Sequence, residues 1–238
     1  MSSELRILHT SDVHLWDNAA DDVRMRGWQA VLGLTTGADL LLVAGDLLDH
    51  ARVSQGLLDR VLEDLSSVRI PVVLLPGNHD LSGPGSVQER LNATQAGPHI
   101  VSLDAPEGSC VQVPGLDVTV WGRGMTDHTP ENRPLAGHAG PSGGRWHLVL
   151  AHGHLLSGEN PDLRSSPIDE AEVAALDADY LALGHWHRYH EVSSGTVAGG
   201  YSGPPSAGWP GGPASVNQVT LGRGARAIID RIPLGPAG

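Results

Sequence analysis

The sequence predicts an α/β fold built on a covered, largely parallel sheet. Two observations carry this. The first hundred residues alternate short apolar runs with amphipathic segments in the order β-α-β-α-β-α, the pattern of a sheet whose strands are joined by crossing helices. The apolar runs are also uninterrupted, as in Asp39 to Ala44 (DLLLVA), which marks strands buried on both faces.

The elements follow in order. Leu5 to His9 is a strand ended by the polar Thr10-Ser11-Asp12. Asp21 or Asp22 caps a helix that turns Val23, Trp28, Val31 and Leu32 inward and stops near Gly33 or Gly37. Asp39 to Ala44 is the second strand, and it stops at Gly45-Asp46. Ser54 caps a helix with Leu57, Leu58, Val61, Leu62 and Leu65 on one face. Pro71 to Leu75 is the third strand, stopped by Pro76-Gly77-Asn78-His79-Asp80. Ser86 and Glu89 form a capping box for a helix running to about Gly97. The middle changes character. His99 to Leu103, Ser109 to Val113 and Asp117 to Trp121 are short runs spaced as in a meander, and Gly124 to Gly144 is a Gly/Pro loop. Trp146 to Ala151 is a strand ending at His152. Ser166-Pro167 opens a helix to about Leu176. Asp179 to Leu183 is a strand ending at Gly184-His185-Trp186-His187, and four short β runs fill the tail.

Composition narrows the function classes. The 238 residues carry 15 arginines, no lysine, 27 carboxylates and a net charge of −12, so the chain is not a general polyanion binder. One cysteine excludes an internal disulfide framework and a cysteine-only zinc site. No apolar run approaches the roughly 20 residues of a bilayer span. The start of the chain has no secretory signal pattern, so a cytoplasmic location is expected.

Five strands share a further feature: each ends in side chains able to bind metal. Asp12 and His14 follow the first, Asp46 the second, Asn78 and His79 the third, His152 the fourth, and His185 and His187 the fifth. Ligands bind beyond the carboxyl ends of strands in open α/β sheets, so neighbouring strands bring these groups to one rim. Carboxylate and imidazole without thiolate suit Mn, Fe or Zn. Two divalent ions, two aspartates and a bridging hydroxide leave about one positive charge, which fits a phosphodiester. Two metals about 3.5–4 Å apart bind phosphoryl oxygens and generate a nucleophile near neutral pH.

The ordered set Asp12-Val13-His14, Gly45-Asp46, Gly77-Asn78-His79-Asp80, His152 and Gly184-His185-Trp186-His187 resembles the calcineurin-like metallophosphoesterase superfamily. Within it, Ile7 to Leu15 and Tyr201-Ser202-Gly203 are similar to the SbcD-type DNA-repair nuclease branch. The resemblance implies a four-layer α/β/β/α sandwich, one domain over residues 1–238, with two divalent transition-metal ions, Mn first and Fe or Zn as alternatives. It implies that Asp12, His14, Asp46 and His187 hold one ion, and that Asp46, Asn78, His152 and His185 hold the other, with Asp46 bridging. It gives His79 the role of catalytic imidazole, with Asp80 orienting it. SbcD-type nucleases also carry a capping domain and an ATPase-docking segment, for which a chain of this length has no room.

The expected activity is therefore hydrolysis of a phosphate ester, in the first place a nucleotide or single-stranded nucleic-acid diester, with exonuclease-like chemistry and no membrane partner. A phosphomonoesterase acting on a metabolite or phosphoprotein is the second reading, and a binding scaffold without chemistry the third. The complete ligand set with His79 weighs against the scaffold. Arg123, Arg133 and Arg145 in the middle loop are candidates for phosphate recognition, against a solvated loop. His154 is a second-layer or substrate contact, or a plain loop histidine. Trp186 stacks a base or packs. Asp49 braces the metal loop or starts a helix. His128 and six other histidines show no partner pattern.

Overall fold

The computed structural model describes residues 4–17, 22–156 and 165–235. Two six-stranded sheets dominate it. In the first, Glu4–Thr10 (β1), Leu40–Ala44 (β2), Val72–Leu75 (β3) and Ile100–Ser102 (β4) run parallel and adjacent. The second is built from Ser109–Gln112 (β5), Val118–Gly122 (β6), Trp146–His152 (β7), Tyr180–Gly184 (β10), Tyr189–Ser194 (β11) and Val197–Ser202 (β12), in the order β11-β12-β10-β7-β6-β5. His154–Leu156 (β8) and Pro167–Asp169 (β9) form a small parallel pair. Ser215–Gly222 (β13) and Ile228–Pro233 (β14) return to the first sheet, antiparallel beside β1.

Strand parity explains the layers. In β2, Leu41 and Val43 face Asp22–Leu34 (α1) and Gln55–Ser67 (α2), packing with Trp28, Val31, Leu58, Val61 and Leu65. Leu40, Leu42 and Ala44 face the other way, against Val118, Val120, Leu148, Leu150 and Ala182 of the second sheet. The outer face of that sheet, with Val149, Ala151, Leu181 and Leu183, is covered by Ile168 and by Val173 of Glu170–Ala174 (α4). Three apolar cores thus separate four layers, as the resemblance implies. Each fully buried Leu or Val contributes roughly 1.5–3 kcal/mol.

Three local expectations need correction. The helix expected at Ser166-Pro167 begins at Glu170. Pro167–Asp169 is extended because it pairs with β8 and buries Ile168, and Glu172 then accepts from the Asp169 N–H at 2.8 Å to start the helix. The helix after Ser86 is Val87–Leu91 (α3), and it breaks at Asn92, which takes a left-handed conformation before a 3₁₀ turn. Ser86 does cap it, but Glu89 reaches Gly85 instead of closing the box on Ser86. The three middle runs are not one meander: β4 closes the first sheet, and β5 and β6 open the second as an antiparallel pair. Asp21, one of two expected caps of α1, lies outside the described residues.

Candidate metal centre

The rims of the two sheets meet at the carboxyl ends of β1, β2, β3, β7 and β10. His152 Nδ1 lies 2.9 Å from the Ala44 carbonyl, and the His185 N–H donates to Asp12 Oδ1 at 3.1 Å. Gly45 and Gly77 make this approach possible. A Cβ on Gly45 would stand 2.1 Å from His152 Nδ1, and one on Gly77 2.2 Å from Asp46 Oδ1, so any larger residue displaces a site side chain. The backbone is held in uncommon conformations here. Of six described non-glycine residues with positive φ, four are Asp12, His14, Asp46 and His185.

The side chains fall into two half-sets. In one, His14 Nε2 is 3.1 Å from His187 Nε2, and His187 Nε2 is 3.5 Å from Asp12 Oδ1. In the other, Asn78 Oδ1 is 3.1 Å from His152 Nε2 and 3.0 Å from His185 Nδ1. Asp46 Oδ2 belongs to both, 3.7 Å from His14 Nε2 and 3.3 Å from His152 Nε2. Donors on one metal with bonds near 2.1 Å stand roughly 3.0–3.4 Å apart, so these separations suit coordination. The chemistry fits too. Asp12, Asp46, His14 and His152 are buried, and buried charge on this scale requires a compensating partner. A carboxylate stands behind His14, whose Nδ1 lies 3.1 Å from Asp49 Oδ1, which Arg24 Nη1 pairs at 2.9 Å. Asp49 therefore braces the loop that carries His14.

A family model, calcineurin-like phosphoesterase, matches residues 5–189. The chain belongs to the calcineurin-like phosphoesterase family. It is 28% identical over 174 residues to the uncharacterized metallophosphoesterase YhaO of Bacillus subtilis, covering 71% of this chain and 41% of that one. It is 28% identical over 245 residues to the SbcD chain of the SbcCD nuclease of Escherichia coli K12, covering 84% and 60%. The chain thus spans 41% and 60% of the length of these two relatives. A crystal structure of TT1561 of Thermus thermophilus shares the fold, with TM-score 0.59 over 97% of this chain and 99% of that one at 13% identity.

The protein groups of this phosphoesterase set each other's charge. Burial opposes ionisation of Asp12, but His187, His152 and His14 hold its carboxyl below the usual range. Burial likewise opposes a charge on Asp46, and His152 and His14 overcome it. Burial opposes a proton on His152, yet Asp46 raises that imidazole to about 9. Burial, reinforced by His152, pushes His185 down to about 3. Within the half-set of Asn78, His152 and His185, the two imidazoles are thus pushed in opposite directions.

His79 is exposed, with its Nδ1 2.6 Å from the Asp49 carbonyl, its N–H donating to Asp46 Oδ1 at 2.8 Å, and its ring 4.6 Å from that of His14. One nitrogen of its ring comes within 4.8 Å of ligand atoms of His14 and Asp46. Asp80 does not orient it, contrary to expectation. The buried Asp80 carboxylate accepts from the Gly77 N–H at 2.7 Å and the Leu48 N–H at 3.1 Å, locking the third-strand loop to the second. The Asp49 carbonyl is what faces the His79 ring.

The arginine expectation also changes. Arg123 donates to the Pro106 and Arg133 carbonyls, Arg133 pairs with Asp169 and Glu172, and Arg145 lies over Trp146. They organise their own loops. Trp186 packs, stacked on Tyr201 with Arg188 over it at 4.4 Å, and donates to His154 Nδ1 at 2.7 Å. Three residues near the cluster are invisible to the motif pattern. Trp209 sits 4.1 Å from His187 and 5.0 Å from His14, ring to ring. Arg24 lies over it and donates to the His14 carbonyl. His128 stands 5.3 Å from His185. None has a strand-end position or a repeating spacing that would mark it in the sequence.

Proposed function

We propose that this phosphoesterase is a dinuclear-metal-dependent phosphodiesterase acting on nucleotides or short single-stranded nucleic acid. Asp12, His14, Asp46 and His187 would hold one ion, and Asp46, Asn78, His152 and His185 the other. The observation that carries the reading is the position of Asp46 Oδ2, which lies within 3.7 Å of an imidazole from each half-set. Divalent ions there supply electrophilic charge for a phosphoryl group and acidify water. The chain's own part is orientation and proton handling. Asp46 also fixes the His79 backbone, so the imidazole and the ligands are set by one residue. With Nδ1 facing the Asp49 carbonyl, His79 presents Nε2, the atom that would donate to the phosphoryl or leaving oxygen. Asp80 keeps the two loops in register.

The nucleic-acid preference draws on the likeness to a nuclease component, and the net charge of −12 argues for small substrates over long duplex. The test is a hydrolysis panel with Mn²⁺: a p-nitrophenyl monoester, bis-p-nitrophenyl phosphate, cyclic nucleotides, single-stranded DNA and duplex DNA, each with and without EDTA. EDTA-sensitive turnover led by diesters and short single strands is expected. Full turnover by a protein shown to be metal-free ends the metal reading; a preference for the monoester or for duplex reassigns the substrate.

A further inference from the structure

We propose that His128 is a substrate-contacting residue of the same site, donating a hydrogen bond to a phosphoryl oxygen on the half of the cluster formed by Asn78, His152 and His185. This rests on the dinuclear reading above.

The residue lies in a Gly/Pro segment that sequence marks as loop, yet the backbone around it is pinned on both sides. Before it, the Met125 carbonyl accepts from the Ser82 N–H at 2.8 Å and from the Ser82 hydroxyl at 3.2 Å. Ser82 is two residues beyond Asp80, so this clamp belongs to the loop that carries Asn78 and His79. After it, the Thr129 carbonyl accepts from the Ser166 N–H at 2.9 Å, and the Ser166 carbonyl accepts from the His154 N–H at 2.9 Å. Asn132 Nδ2 adds a bond to Ser166 Oγ at 2.8 Å. That second clamp belongs to the strand following His152. The segment is therefore tied to two loops that carry site residues. Met125 is buried at 3% exposure, which seats the segment further.

What this holds in place is an exposed imidazole at the mouth of the cluster. The His128 ring stands 5.3 Å from the His185 ring, edge to face. Among the described residues neither ring nitrogen has a hydrogen-bond partner, whereas His152 and His14 each turn their second nitrogen to a carbonyl or carboxylate. The arrangement pairs with His79. That imidazole, equally exposed, packs 4.6 Å from His14 in the other half-set. Each half-set thus has an exposed imidazole against it that is not among the seven expected ligands. A tetrahedral phosphoryl group seated between the half-sets presents oxygens to both sides, and donors in fixed positions stabilise charge developing on them. The middle loop does recognise phosphate on this account, through its histidine.

The experiment compares the parent chain, His128→Ala and His128→Gln, all loaded with Mn²⁺. Metal content, binding of inorganic phosphate by calorimetry, and steady-state hydrolysis of bis-p-nitrophenyl phosphate are read on each. His128→Ala should keep the parent's metal content, weaken phosphate binding and lower kcat/KM by about 10- to 100-fold, the scale of one hydrogen bond to a charged group. His128→Gln, which retains a donor, should recover at least part of both losses. Unchanged phosphate binding and turnover in His128→Ala overturn the proposal, as does loss of metal, which would make the residue a support of the ligands. A parent that holds metal but neither binds phosphate nor hydrolyses a diester overturns this proposal and the phosphodiesterase reading together. A parent that hydrolyses normally beside an unaffected His128→Ala overturns this proposal alone.

Discussion

One oxygen of Asp46 faces an imidazole from each half-set while its partner oxygen accepts the His79 N–H. Removing this side chain therefore disturbs both half-sets and the His79 backbone at once. His79 is different. Its contacts with the cluster are a ring edge and a backbone N–H, so His79→Ala is expected to keep its metal content and lose roughly 10²–10⁴-fold in turnover. Metal analysis beside steady-state kinetics checks this. A variant that drops metal would instead make His79 a ligand, for which its approach to His14 and Asp46 leaves room. Asp80 shows how far residue patterns reach. A carboxylate next to a histidine in sequence reads as its partner, but the strand-end turn sends the two side chains apart. Burial, reinforced by Asp46, pushes the Asp80 carboxyl up to about 6, the signature of a buried loop fastener.

The loops carry the second set of expectations. Gly77→Ala places a Cβ 2.2 Å from Asp46 Oδ1 and 2.6 Å from the Asp46 N, so the third-strand loop must withdraw from the second. Metal affinity should fall at least tenfold while far-UV circular dichroism stays that of the parent. Retention of metal through dialysis in Gly77→Ala would show that the loops tolerate the shift. Arg133→Ala tests the opposite case. Its partners Asp169 and Glu172 are part-exposed, and pairs of that kind contribute about 0–1 kcal/mol. The variant should hydrolyse as the parent does, with a small loss of stability in urea; a large rise in KM would return the residue to phosphate binding. The strand ends and the gathering of their metal-capable side chains at one rim were legible because a buried strand is an unbroken apolar word and its end is a motif. The segment around Met125 to Asn132 was not legible. Its shape comes from bonds to Ser82 and Ser166, 34 or more residues away in sequence, and Gly/Pro content reports only that no regular element forms there. The extended Pro167-Ile168 is hidden for the same reason, since its partner strand β8 lies across residues 157–164.

At the scale of the molecule, the three cores make the fold's stability depend on buried polar groups as well as on packing. His9, fully buried on β1, sits 2.8 Å from the Tyr180 hydroxyl across the two sheets, and burial pushes its imidazole down to about 3. The unfolded chain takes up this proton near pH 6.5, and the folded chain resists it until about pH 3. Below pH 6.5 the unfolded state binds more protons, so this residue withdraws stability as pH falls, at about 1.4 kcal/mol per pH unit. Between about pH 7 and about pH 5, His9→Asn should therefore lose about 2 kcal/mol less than the parent in urea titrations. Equal losses would place the acid sensitivity elsewhere. The parallel first sheet and the location of the site were readable at this scale, because unbroken apolar runs and the groups at their ends fix them. The start of the helix over the second sheet was not, since α4 is five residues long and the residues before it are extended against β8.

The positive φ angles at Asp12, His14, Asp46 and His185 have a meaning for protein engineering. An L-residue held there costs on the order of 1 kcal/mol or more, and glycine avoids the cost. An alanine variant, Asp46→Ala, keeps the unfavourable handedness while discarding the carboxylate. Asp46→Gly should be equally inactive and should melt roughly 2–4 °C higher than Asp46→Ala, read by differential scanning calorimetry on metal-free protein. For trapping an uncleaved substrate, glycine is then the better choice of dead variant, because the rim of the sheets relaxes around it.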